Sequence, residues 1–416
     1  MNEGHAANKR VCCCSRAVDP TTWQPAALET TMTTEFDQLQ TDLDAGGVDA
    51  AIKSLADQLR QKKQYHELFE ALKMQARYSI GLPLLYTDSG DELAGDVREK
   101  LEDGLIDACR DVGMMLLRDG RIREGWMYLR PVGDKKAAAE VLATIEPDED
   151  NMDELVEVAL SEGVDTRLGY RLVLDNYGTC NAITTYESQV AGRAKAEQQS
   201  AAELLVQHVY DELMATVKAD IAQQEGNEPP EDTFRALVAD REWLFLDNSY
   251  HIDTTHLAST VRFSRVLDDK KYLRLALDLT EYGRRLNSQF QYQGEEPFAD
   301  IYPSHALYLQ AVLGENVDEA IAYFLEKAET LDVAEVGTAA IEVYVDLLAK
   351  IGRYEDAIKA TVRMMPEDAQ PIGYAPSLLE LSQQAKSYGQ FVAHCRERED
   401  LLGFATGLMH AKLNGQ

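Results

Sequence analysis

The sequence predicts an all-α chain of antiparallel helix pairs, and three observations carry that prediction. Apolar residues recur at three- and four-residue spacing in one segment after another. No β-branched run alternates with polar residues between hairpin turns, as a strand with a partner requires. A short pattern returns three times, as Val48-Asp-Ala-Ala-Ile52, Val317-Asp-Glu-Ala-Ile321 and Tyr354-Glu-Asp-Ala-Ile358, with Ala320 and Ala357 standing 37 residues apart. The shared logic is a tight turn, a wedge residue and then a small alanine where two helices come close. A pair this short cannot bury both of its faces, so it needs neighbours like itself.

Taken in order, residues 1–31 stand apart. They carry three consecutive cysteines, Cys12, Cys13 and Cys14, and no apolar core of signal-peptide length. They read as a disordered leader, or as a start assigned too early, with Met32 opening the helical pattern; the cysteines suit palmitoylation or a metal. Phe36, Leu39 and Leu43 mark a first helical stretch, Gly46-Gly47 follows it, and the next helix carries Leu55 and Leu59. Leu68 and Leu72 mark its partner, which Gly81-Leu-Pro83 ends. Leu101, Leu105, Ala108, Val112 and Leu116 share one face of a helix over 91–118, and Trp126 and Leu129 follow Gly120. Helices at 137–145 and from Leu155 come next, then a less periodic stretch at 175–190 and a long helix over 191–224. Gly226-Asn-Glu-Pro-Pro-Glu-Asp232 is the clearest break. It divides a helical segment at 32–225 from another at 233–416, with helices near 232–246, 253–268 and 270–290 and an irregular stretch at 291–303.

The best-defined pair lies in 340–365. Ile341, Val345 and Leu348 form one stripe, Gly352 ends that helix, and Ala357, Ile358, Thr361, Met364 and Met365 form the next. Gly352-Arg-Tyr354-Glu-Asp-Ala357-Ile358 resembles the turn and second helix of a tetratricopeptide repeat, matching its small and wedge positions. The resemblance is strongest over 304–366; the 37-residue spacing differs from the family's 34, and Tyr344, Val345 and Leu348 stand where its first-helix signature would be. It implies a right-handed α-solenoid with a concave groove for a partner, and no catalytic residue.

Charge narrows the partners. Lys and Arg number 41 against 72 Asp and Glu, a net charge of −31, so the chain repels a phosphate backbone and nucleic acid is not an expected ligand. No apolar run reaches the roughly 20 residues that span a bilayer. The six cysteines form no disulfide framework, which fits a reducing compartment, the cytoplasm. Nucleotide-loop, dinucleotide, serine-hydrolase and HExxH patterns are absent.

Three polar stretches hold the chemistry: 175–187, 248–256 and 295–305. His251, Asp253 and His256, with His305 or Glu187, supply the imidazole and carboxylate groups that a divalent metal such as zinc takes, which would make a metal-dependent hydrolase. The same residues also suit local roles: Asp253 as a helix N-cap, His256 in the first turn and His305 opening another helix. Tyr177, Cys180, Asn181, Tyr250 and His208 are candidates to line a groove. The leading expectation is a scaffold that binds a peptide or partner protein in a solenoid groove, tyrosine being abundant at 19 residues and suited to such contacts. The alternatives are the metal-dependent enzyme and a homo-oligomer.

Overall fold

The computed structural model describes residues 33–85, 93–246 and 248–415. The leader, its three cysteines and the Met32 start lie outside them. Among the described residues the chain is all-α, with nineteen α-helices, no strand and a single isolated bridge between Gln293 and Asp300. None of these helices is long and apolar enough to cross a membrane. The chain divides into two compact units between Gly133 and Asp134.

The first unit contains α1 (Thr33–Gln61), α2 (Tyr65–Ser79), α3 (Gly95–Arg118) and α4 (Ile122–Leu129), each packed on the next. Its core gathers Ala56, Tyr65, Leu68, Leu72, Ala108, Val112 and Leu116; the periodicity places Leu68, Leu72, Ala108, Val112 and Leu116 inward, whereas Leu55 and Leu59 are only partly buried against this core. Phe36 and Leu43 remain exposed. Gly47 takes a left-handed backbone (φ 72°) that splits α1, and the 15 residues of α2 span only about half the length of a 29-residue helix. Between α3 and α4 the backbones nearly touch: a Cβ on Gly113 would stand 2.9 Å from the Gly125 carbonyl oxygen.

The second unit opens with α5 (Lys135–Leu142) and α6 (Met152–Val156), the latter running on into a π-helical turn. Next come α7 (Thr166–Thr185), α8 (Lys195–Glu225), α9 (Phe234–Val238), α10 (Thr254–Phe263) and α11 (Lys270–Arg285). Long α8 packs along α7, α10 and α11. The rest is α12 (Ile301–Val312), α13 (Val317–Thr330), α14 (Val333–Val336), α15 (Ala339–Lys350), α16 (Tyr354–Met364), α17 (Leu378–Ala385), α18 (Gly389–Glu397) and α19 (Leu401–Leu413). Consecutive pairing dominates here too, as in α11 with α12 and α15 with α16, where Gly352 (φ 79°) makes the expected turn.

Three local expectations change. The 175–190 stretch is helical: α7 passes a break at Gly178 (φ 81°) and continues into a π-helical turn. Several of its polar side chains bond back within the helix. Asn176 donates to the Leu172 carbonyl (2.9 Å), Asn181 to Tyr177 (2.7 Å) and Ser188 to Thr184 (2.8 Å). The 226–232 stretch lies inside the second unit. Arg241 pins it through Glu225 (2.7 Å) and Glu231 (3.2 Å), and one apolar core runs through Ile221 before it and Phe234 after it. Helix α15 carries no single buried stripe, because every residue from Ala339 to Ala349 is buried by its neighbours, α12, α13 and α16 among them. Two of those residues, Glu342 and Asp346, are carboxylates, each 1% exposed.

Candidate functional site

The second unit holds a cleft of about 840 Å³, open to solvent. All three polar stretches contribute to it: Tyr186 from the first, Thr255 from the second, and Glu295 through Phe298 with His305 from the third. The chain builds it from the turn after α7 and the start of α8, from α10 and the turn that follows it, the irregular segment before α12, the start of α12, α14, α15 and the segment after α16.

Stacked rings form the apolar walls. Tyr186 lies on Phe263 with ring centres 4.1 Å apart, and Phe298 lies on His305 at 4.0 Å. His305 is 2% exposed. Its Nδ1 stands 2.7 Å from the Ile301 carbonyl oxygen. A carbonyl only accepts, so the proton sits on Nδ1 and Nε2 is left as an acceptor. Burial, reinforced by Arg265 and Arg262, pushes the imidazole down to about 3 against the Ile301 bond.

Arg265 supplies the buried cation. It is 13% exposed, lies 3.8 Å from Asp346 and stacks over the Tyr374 ring at 4.0 Å. Asp346 has closer company: Tyr308 donates to it at 2.6 Å, and Lys195 approaches to 3.4 Å. Behind them Lys350 donates to the Leu267 carbonyl (2.7 Å) and pairs with Asp268. Burial would raise the Asp268 carboxyl, but Lys350 and Lys195 hold it below its usual range. Tyr374 is held over the cleft by Glu342, whose carboxylate accepts the backbone N–H groups of Ile372 (2.7 Å), Gly373 (2.8 Å) and Tyr374 (2.7 Å) and the Thr338 hydroxyl (2.5 Å).

The candidate metal ligands are not gathered around one point, and among the described residues no three His, Cys, Asp or Glu side chains form a group that could hold a metal ion. His251, Glu187 and Asp253 have other partners. His251 sits between Asp220 (3.2 Å) and the Tyr282 hydroxyl (3.2 Å). Glu187 accepts from Arg262 at 2.9 Å. Asp253 is the N-cap of α10, accepting from Thr255 N (2.8 Å) and His256 N (3.1 Å), and the Thr255 hydroxyl bond leads in holding its carboxyl low. His256 is half-buried in the first turn of α10. Removing this cap as Asp253→Ala should cost about 1 kcal/mol in urea unfolding, and an unchanged midpoint would deny Asp253 the capping role. A carboxyl held low contributes its stability above the ordinary carboxylate range and loses it as pH falls, so the gap between wild type and variant should close in acid.

The groove candidates are dispersed as well. Exposed Tyr177 donates to Asp153 (3.0 Å), Cys180 and Asn181 are exposed on α7, His208 meets Thr179 at 3.1 Å, and exposed Tyr250 packs edge-on to Phe290. Of the candidate ligand and groove residues, only His305 lines the cleft. Sequence reasoning missed Tyr186, Arg265, Glu342, Asp346 and Tyr374. One signal was present: Glu342 and Asp346 are acids four apart in an otherwise apolar run at 339–349, and the structure buries both. Comparison with protein-family models, with curated proteins and with solved structures finds no match to this chain, so the cleft's chemistry is read from its own residues.

Proposed function

We propose that this protein is an interaction module, a tetratricopeptide-like helical solenoid whose second unit binds a segment of a partner polypeptide in the cleft. The observation that carries this reading is the cleft itself: about 840 Å³ of open volume lined by aromatic rings, Arg265 and His305. Rings and an arginine in a preformed depression are the anchors by which peptide grooves hold side chains and termini. The charge of −31 favours a basic partner. A binding role in the cytoplasm requires no metal.

Fluorescence anisotropy with pools of labelled basic hexapeptides should show saturable binding that weakens as salt is raised. Ser259 lines the cleft from α10 and is partly exposed. Ser259→Trp should fill the cleft and abolish binding, with unfolding stability changed by less than about 0.5 kcal/mol. Absence of saturable binding, or equal binding by the variant, would overturn the reading.

A further inference from the structure

Two polar groups that line the cleft lack the partners that buried groups ordinarily have. Tyr186 is 3% exposed, and its hydroxyl has no hydrogen-bond partner. Buried hydroxyls are seldom left so. Among the described residues, the Arg265 guanidinium has one ion-pair partner, Asp346 at 3.8 Å, and otherwise only the ring of Tyr374. That is beyond hydrogen-bond distance, and Asp346 is already served by Tyr308 and Lys195. The donors of a largely buried arginine are therefore left to the cleft.

These groups share one neighbourhood. Arg265 acts electrostatically on both Tyr186 and His305, and Arg262 acts on His305. The cleft lining thus combines a planar cationic donor, a hydroxyl donor and a bare imidazole acceptor. Forked guanidinium donors match the two oxygens of a carboxylate. An acceptor beside them matches an N–H close to that carboxylate in the same ligand. The last residue of a polypeptide carries both groups, its terminal carboxylate and its own amide N–H. The mouth has the opposite sign: Glu295 and Glu335 line the cleft as exposed acids, on a chain of net charge −31. The volume exceeds what one amino acid fills, leaving room for preceding residues against Phe298 and Val343.

We propose that the cleft captures the C-terminus of a basic polypeptide, with Arg265 and Tyr186 donating to the terminal carboxylate, His305 Nε2 accepting the last amide N–H, and Glu295 and Glu335 facing upstream basic side chains. This rests on the peptide-binding reading above and deepens it.

The test uses the full chain and two pools of labelled basic hexapeptides, identical except that one ends in a free carboxylate and the other in a carboxamide. The free-acid pool should bind about tenfold or more tightly. Tyr186→Phe removes only the unpartnered hydroxyl. It should leave the stability of the fold unchanged or slightly raised, yet weaken the free-acid pool about fivefold or more and the amide pool hardly at all. Arg265→Gln should erase the preference for the acid; because Arg265 also borders Asp346, Tyr186→Phe is the deciding variant.

Equal binding of both pools, each blocked by Ser259→Trp, would overturn terminus capture and keep the peptide reading. No binding of either pool would overturn both. An acetylated single amino acid competing as strongly as the hexapeptides would place a small acid, not a chain end, in the cleft and would also overturn the proposal. A Tyr186→Phe variant that keeps the full acid preference would do so as well.

Discussion

Lowering the pH from 6.5 towards 3 should cost this fold roughly 4 kcal/mol through one imidazole. His305 is 2% exposed, and its proton affinity is depressed to about 3, chiefly by burial and then by the fields of Arg265 and Arg262, against the opposing bond to Ile301. In the unfolded chain the same side chain takes up a proton near its ordinary value of 6.5. Between those two values the unfolded state binds more protons than the folded one, so stability falls as pH falls. Above the upper value both states are neutral, and below the lower value both are charged, so the loss is confined to that window. Urea unfolding at a series of pH values should show the midpoint dropping through it. His305→Phe keeps a ring against Phe298 and cannot take up a proton, so its profile should be distinctly flatter. Asp268, held low by Lys350, weakens the fold in acid in both proteins and cancels from the comparison. Identical profiles for wild type and variant would show that His305 is not the group responsible.

Replacing Glu342 with alanine should be the most damaging single change around the cleft, at about 3 kcal/mol or more. Its carboxylate is 1% exposed and takes four hydrogen bonds, three of them from consecutive backbone N–H groups at 372–374. Alanine leaves those donors without an acceptor and opens a void in α15. Glu342→Gln keeps the volume but puts a donor where an acceptor is needed, so it should recover only part of the loss. The damage should also be local. Hydrogen exchange at Ile372, Gly373 and Tyr374 should accelerate in both variants beyond the change in global stability, because these amides lose their direct partner. The Tyr374 ring would then no longer be fixed over Arg265. If exchange at 372–374 rises no more than elsewhere, Glu342 is a general packing residue and not the anchor of that segment.

The second prediction turns on a carboxylate that the sequence alone presents as an ordinary surface residue. In α15, Ile341, Val345 and Leu348 make a stripe, and Glu342 and Asp346 stand off it, where solvent is expected. Periodicity shows which face of a helix is apolar; it does not show that neighbouring helices will cover the other faces too. Whether a carboxylate is solvated or buried depends on what lies opposite it. Here the opposite groups are the 372–374 backbone, Tyr308, Arg265 and Lys195, 30 to 151 residues away along the chain. The polar stretches misled for a related reason. Asn176, Asn181 and Ser188 look like site chemistry in sequence, yet they satisfy carbonyls one turn back in their own helix.

What the sequence determined by itself is local. The helices, the turn at Gly352, the cap at Asp253 and the apolar faces of α3 and of the second half of α1 follow from spacing, glycine and short-range hydrogen bonding. Those signals act over a few residues and survive without a tertiary context. Tertiary structure alone decided that His251 is held by Asp220 and Tyr282 and Glu187 by Arg262, and that Tyr186, Arg265 and His305 line one cleft. A binding site is made of residues from separate helices, and their convergence is set by how those helices pack, which no periodicity within one helix records.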